Sequence, residues 1–303
     1  MERTAGKRTA GYLLVALSGA CFGAIGLFGR LAYAAGADMP TLLFLRFTSA
    51  GLVLSAVMLA RRGTWPRGRV LGGLMLLGAV GYGSEAAVYF TALQYASAGL
   101  VALLLYLFPA LVALTQVALG RERLSRLKWI AVGLALGGTA LTVNPGTDAR
   151  PLGIALGVLA AFIYTAYIIT SSRVVGPAGP LAASTVVLLS AGVAFGLWVL
   201  VHGAVPPGTL RGWLAVAGLS LLSTVVAVLT FFAGLERIGP VPTSLLSTLE
   251  PVMAVLLGAL FLGERLDIRQ GLGGVLILTA VVLLARSDGG RRPEPPAPGD
   301  GVV

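Results

Sequence analysis

At 303 residues the chain is long enough for roughly two soluble domains, but its composition excludes them: AVILMFWYC make up 57 %, charged residues 11 %, and mean hydropathy is +0.91. A soluble surface carries about 25 % charged residues, so most of this surface must face lipid. The net charge of +10 sits in short loops at helix ends with no RNA- or DNA-binding motif beside it, which argues for topology rather than a nucleic-acid partner.

A bilayer is crossed by about 20 apolar residues. Runs of that kind predict ten helices, at 11–34, 40–60, 70–93, 97–119, 127–144, 151–170, 181–202, 211–234, 240–262 and 268–285. Ahead of the first run, residues 1–10 form a basic tail with Arg3, Lys7 and Arg8. Basic, apolar and small residues in that order before Cys21 imitate a signal peptide, but nine further spans follow, and a retained first helix is the better reading. Cys21 is the only cysteine, so no intrachain disulfide exists. The gaps at Tyr95–Ala96 and Glu236–Gly239 are short enough to force antiparallel hairpins. His202 closes the seventh run near Pro206-Pro207 and reads as a helix-end residue. The tail 287–303, with Pro293, Pro295, Pro296 and Pro298, is expected to be disordered.

Two stretches, 90–143 and 232–285, carry one pattern 142 positions apart. Phe90, Leu93, Leu103, Leu104, Leu107, Pro109, Glu122, Arg123 and Leu124 recur as Phe232, Leu235, Leu245, Leu246, Leu249, Pro251, Glu264, Arg265 and Leu266. A duplicated apolar chain with a proline-interrupted helix in each half is the signature of a secondary transporter with its site between the halves. Five spans precede Pro151 and five follow it. The expected fold is therefore an all-α integral membrane protein of ten transmembrane helices in two inverted five-helix repeats, 11–144 and 151–286. Loop charge sets the orientation. On an N-inside arrangement the inner segments of the first half hold eleven Lys and Arg, among them Arg61, Arg62, Arg67, Arg69, Arg121 and Lys128, and its outer loops hold none. In the second half Arg173, Arg237, Arg286, Arg291 and Arg292 lie inside against Arg150, Arg211, Arg265 and Arg269 outside. Both termini are expected in the cytoplasm and the chain in the cell (inner) membrane.

Each half resembles one copy of the EamA repeat of the drug/metabolite transporter superfamily. The resemblance rests on Leu-Phe-Pro109 followed by Gly-Arg-Glu122-Arg-Leu, on Leu-Glu250-Pro251 followed by Leu-Gly-Glu264-Arg-Leu, and on Phe-Leu-Arg46-Phe-Thr-Ser-Ala50. It covers nearly the whole chain apart from the tails. The first copy departs from the pattern with Phe108 where the second has Glu250, so any carboxylate role there belongs to the second half alone. The resemblance implies export of small polar metabolites such as amino acids. Uptake or exchange of a phosphorylated or sugar-like metabolite is the alternative within transport, and a non-transporting membrane scaffold is the rival from another class.

Of twelve acidic residues only Glu85 and Glu250 lie well inside spans, where a charge costs on the order of 2.5–3.5 kcal/mol. Glu250 lies roughly 15 Å into its helix, near the midplane. Pro251 lacks an N–H, which is expected to free a carbonyl one turn back, with Ser247 and Thr248 alongside. Such a group suits an ammonium ion or an exchangeable proton; a purely structural role at the helix break stays open. Glu85, roughly 13 Å deep, falls near Arg46 and Arg30, both roughly 8–9 Å deep, which predicts a buried ion-pair cluster on the outer side; an outer gate, recognition of a substrate carboxylate and a static pair that orients helices stay open, with Arg30 more prone to snorkel. Tyr82 and Tyr89 flank Glu85 at i−3 and i+4 and complete the candidate site. Tyr106, Tyr164, Tyr167 and Trp198 are individually better read as packing residues. Gly19-xxx-Gly23, Gly133-xxx-Gly137, Gly153-xxx-Gly157 and Gly192-xxx-Gly196 predict close helix contacts. No metal motif, phosphate loop or Cys/His pair is present, so no enzyme activity, metal or cofactor is expected. No loop is long enough for a nucleotide-binding domain, which leaves a gradient as the energy source. A homodimer is left open.

Overall fold

The structure, a computed structural model, describes residues 2–92, 95–96, 98–122, 124–142, 150–262 and 267–289. All its regular elements are helical. The first half contains α1 (Glu2–Gly23), α2 (Ile25–Ala34), α3 (Met39–Ala60), α4 (Gly68–Leu76), a π-helical turn (Leu77–Tyr82), α5 (Gly83–Ala92), α6 (Ala98–Leu105), α7 (Phe108–Ala118) and α8 (Arg126–Thr142). The second contains α9 (Pro151–Ala178), α10 (Pro180–His202), α11 (Leu210–Ser220), a second π-helical turn (Leu221–Val226), α12 (Ala227–Ile238), α13 (Pro240–Leu246), α14 (Leu249–Leu262) and α15 (Ile268–Gly289).

Local sequence sets most of these boundaries. Asp38 caps α3 by accepting the Thr41 N–H at 3.1 Å, the usual way to satisfy a free helix-end donor. Pro151, Pro180 and Pro240 open α9, α10 and α13, where a missing N–H does no harm. Gly179, Gly203 and Gly239 stop α9, α10 and α12 at φ of 75°, 89° and 80°, a backbone region that other residues avoid. The polar run Ser171-Ser172-Arg173 ends the predicted sixth span at 170, yet α9 continues to that glycine stop. Likewise α1 begins at Glu2, within the expected N-terminal tail, and α15 reaches Gly289. The rest of the C-terminal tail, 290–303, lies outside the described residues, as do Leu93, Arg123 and the Glu264-Arg265-Leu266 triplet.

Among the described residues eight helical stretches are long and apolar enough to cross a membrane, against ten predicted. The fifth and tenth predictions fall on α8, 17 residues long with Arg126 and Lys128 in its first turn, and on the apolar part of α15, Ile268–Leu284. Outward-facing side chains are apolar: Leu200 is 81 %, Leu210 76 % and Leu260 75 % exposed. Exposed apolar residues on this scale imply lipid as the solvent. Hydroxyls inside the spans follow the same rule. Those of Thr165, Ser171 and Thr185 donate to the carbonyl four residues back at 2.6–2.8 Å, as polar groups without water must.

The two halves interlock in pairs. α3 packs along α10 and α8 along α15; α1 lies against α12, α2 against α11, α5 against α9, and α7 against α13. Three of the four predicted glycine pairs stand at close contacts: Gly19 and Gly23 against α14, Gly153 and Gly157 against Ala96 and Leu104, Gly192 and Gly196 against Thr48 and Phe44. Gly133 and Gly137 are a correction, for a Cβ at either would meet nothing within 4 Å. On that helix Gly138 makes the approach, for a Cβ there would stand 2.7 Å from the Gly273 carbonyl oxygen.

Candidate functional site

Helix interruptions bring the site's elements together. The run over 98–118 breaks at Tyr106–Leu107 and the run over 240–262 at Ser247–Thr248, just ahead of Pro109 and Pro251. A proline ring clashes with the backbone one turn back and removes a donor, so the same residue type breaks both copies. The carbonyl expected to be free is not: Ser247 O accepts the Glu250 N–H at 3.0 Å. Ser247 and Thr248 are buried, and their hydroxyls donate to Thr243 O at 3.0 Å and Leu245 O at 2.6 Å. They satisfy the break and do not line the cavity.

That cavity, about 170 Å³, gathers Arg46, Glu85, Tyr82, Tyr89 and Glu250 around one space. Arg46 comes from α3, Tyr82 from the first π turn, Glu85 and Tyr89 from α5, and Glu250 from α14. Phe22 and Ile25 on either side of the α1–α2 break, Tyr106 and Phe108 at the first proline break, and Tyr164 of α9 complete the polar and aromatic wall. Tyr106 and Glu250 line the same space. Phe108 and Glu250, equivalent under the 142-residue offset, thus face the same cavity, one apolar and one acidic.

Arg46 is buried and held by both halves. Its Nε donates to Thr224 Oγ1 at 2.7 Å, while Nη2 reaches Ser223 O at 3.3 Å and Tyr82 OH at 3.4 Å. The direct Arg46–Glu85 pair predicted from depth is therefore replaced by polar atoms of the second π turn. Thr224 itself donates to Leu219 O, five residues back, at 2.8 Å, the spacing of a π turn. One hydroxyl so serves the helix irregularity and the guanidinium together. Arg30 is exposed and does not line the cavity.

The aromatic wall is continuous. Phe47 meets Tyr82 at 5.0 Å between ring centroids, Tyr82 meets Tyr167 at 5.5 Å, Tyr167 meets Tyr164 at 5.9 Å, and Tyr164 meets Phe108 at 4.7 Å. The Arg46 guanidinium stands 5.0 Å over the Phe47 ring, a geometry in which the ring face attracts a cation. Trp198 stacks on His202 at the outer face instead. Tyr106 and Tyr164, read from sequence as packing residues, line the cavity; the Phe108/Glu250 equivalence is the sequence signal that could have marked Tyr106. Nothing comparable marked Thr224, since π turns leave no periodicity in an apolar run.

The arrangement offers one guanidinium, two carboxyls and four tyrosines around a small space. It can take a molecule that bears a cation and an anion close together on an apolar body, or a cation alone. Among the described residues no group of His, Cys, Asp and Glu is placed to hold a metal.

The sequence profile of the EamA-like transporter family matches residues 9–144 and 151–286, almost the whole chain in two copies. The chain belongs to the EamA-like transporter family. Relatives in that family include the uncharacterized inner membrane transporter YedA of Escherichia coli (strain K12), 29 % identical over 79 % of both chains. The uncharacterized transporter YcbK of Bacillus subtilis (strain 168) is 25 % identical over 90 % of this chain and 92 % of its own. The same fold is seen in a crystal structure that superposes with a TM-score of 0.77 over 92 % of this chain and 98 % of that one, at 23 % identity. The protein is thus a multi-pass membrane transporter, with lipid around it and a small molecule as its cargo, and not an enzyme.

Proposed function

We propose that this transporter is a secondary carrier of the cell membrane that exports small zwitterionic metabolites such as amino acids, by alternating access around the Arg46–Glu85–Glu250 cavity and against an inward proton flow. One observation carries the reading: a basic and two acidic side chains, all from membrane spans, face one small aromatic-walled space. Charges at that depth are costly and persist where they serve a pathway. Arg46 takes the substrate carboxylate, and Glu85 and Glu250 take the ammonium group or the proton. The scaffold reading predicts no central polar cavity, so the cavity counts against it. A phosphorylated substrate would bring two negative charges to a site that already holds two carboxyls against one guanidinium, which disfavours that alternative on Coulombic grounds.

The ten-span inverted-repeat layout belongs to the same proposal. If α8 and α15 also cross, each half has five spans. Support comes from the pairing, in which each half presents its equivalent helix to the other: α3 to α10, α8 to α15. The EamA resemblance supplies the export direction.

Proteoliposomes with an imposed pH gradient and a panel of amino acids, sugar phosphates and nucleotides test the reading. Wild type is expected to concentrate an amino acid only when the gradient is present. Glu250→Gln, which keeps size and hydrogen bonding but not titration, is expected to abolish uphill transport while counterflow of the same amino acid persists; Glu250→Asp should keep part of it. Wild-type uphill transport by Glu250→Gln would reduce Glu250 to a structural residue beside Pro251 and move the coupling role to Glu85. A sugar phosphate as the only transported compound would overturn the substrate class.

A further inference from the structure

A second hollow, about 530 Å³, opens on the opposite side of α1–α2 from the central cavity. It runs between three elements, from Leu31, Arg211 and Phe261 at one end to Ala20, Leu222 and Met253 at the other. All three belong to helical stretches long and apolar enough to span the membrane. Among the described residues Arg211 is the only charged one that lines it. Eleven residues separate Arg211 from Leu222, as they do Ala20 from Leu31, so the groove is roughly 16 Å long at helical rise. That is close to half of the ~30 Å hydrocarbon core, the depth of one leaflet. Its charged end lies at the first turn of α11, where the helix enters the membrane, and its apolar end near the midplane.

We propose that this groove is a phospholipid site, in which an acyl chain of one leaflet lies along α2, α11 and α14 while the lipid phosphate rests on the Arg211 guanidinium. Length, apolar walls and a single cation at the interfacial end match a lipid molecule point for point. Arg211 is exposed and makes no side-chain hydrogen bond or ion pair among the described residues, which leaves its donors for a phosphate. A second copy of the chain fits less well, because a helix-packing interface would continue through both leaflets whereas the groove ends at Ala20. The site is separate from the substrate cavity. Gly23 seals the wall between them: a Cβ there would meet Met253 Cβ at 2.6 Å and Glu250 O at 2.8 Å. Phe22 and Ile25 face the cavity from the far side of the same helices.

Native mass spectrometry of the full chain in a non-ionic detergent tests the site, with palmitoyl-oleoyl phosphatidylglycerol as probe and the diacylglycerol bearing the same chains as its phosphate-free control. Wild type is expected to hold one phosphatidylglycerol per chain and to bind the diacylglycerol at least fivefold more weakly. Leu27→Trp fills the groove and should lower phosphatidylglycerol binding at least fivefold; Leu257→Trp does so from α14 if the first variant does not fold. Arg211→Gln, a surface change, should bring phosphatidylglycerol down to the diacylglycerol level. Wild-type binding by a filled groove overturns the proposal, and so does equal retention of the two lipids. A wild-type dimer that Leu27→Trp converts to monomer would overturn it too, and give the face to a second copy.

Discussion

Arg46 carries a full charge into an apolar interior, so what its donors meet decides what any change around it does. The Thr224 hydroxyl accepts from Nε and donates to Leu219 O; Thr224→Val keeps the shape and removes both bonds. A hydrogen bond to a charged group contributes about 1.5–3 kcal/mol, more when its loss strands a buried donor. Thr224→Val is therefore expected to lower the thermal unfolding temperature in detergent and to weaken substrate binding more than turnover, while Thr224→Ser restores both. Adding Arg46→Met to Thr224→Val should cost less than the sum of the two losses, because both remove one interaction. The pair Arg46→Met with Glu85→Gln should come closer to additive, since those side chains do not bond directly. Equal coupling in the two cycles would return Arg46 to Glu85. At this scale the sequence was informative about charge and blind to hydroxyls. Arg46, Glu85 and Glu250 stand out because acids and bases are scarce in spans, whereas Thr224 is one of many hydroxyls that bond back to their own helix.

Helices show a similar division. The breaks before Pro109 and Pro251 were legible because proline acts on its own backbone, whatever surrounds it. The π turns at Leu77–Tyr82 and Leu221–Val226 were not, because one extra residue in a turn leaves an apolar run apolar. Glycine spacing alone misled at Gly133 and Gly137, since a small-residue stripe tells where a helix can approach and not whether a neighbour stands there. Gly78 has such a neighbour, with the Val187 carbonyl where its Cβ would go. The contrast gives a direct comparison. Gly23→Val must push α1 away from α14 and is expected to destabilise by about 1–3 kcal/mol, as overpacking does, and to impair transport. Gly133→Ala meets open space and should leave thermal stability unchanged or slightly raised, given alanine's better helix propensity. A larger loss for Gly133→Ala than for Gly23→Val, measured by thermal unfolding in one detergent, would contradict the packing described.

Across the whole molecule, the proposed inverted layout makes the strongest demand: two equivalent loops of the duplicated pattern are expected on opposite sides of the membrane. Ser125 precedes α8 and Asp267 precedes α15, at positions 142 residues apart. The charge around them has diverged. Arg121-Glu-Arg-Leu-Ser-Arg-Leu-Lys128 keeps an excess of base, stiffened by a Lys128–Glu122 ion pair at 2.6 Å, whereas Glu264-Arg-Leu-Asp-Ile-Arg269 balances acid and base. Lys and Arg in short loops hold a segment in the cytoplasm, so the proposal keeps the first loop inside and leaves the second free to cross. With Cys21 as the only native thiol, a Cys21→Ser background isolates the test. Ser125→Cys and Asp267→Cys are placed one at a time and treated with a membrane-impermeant maleimide on intact cells. Asp267→Cys is expected to react from outside, and Ser125→Cys only after the cells are opened. Reaction of both from outside would put the two loops on one side and dissolve the midplane site between inverted halves, whereas reaction of Ser125→Cys alone would keep the halves inverted and turn both termini to the outside. The same experiment decides whether α8 crosses, for if it did not, four spans would separate the two loops and both would lie on one side.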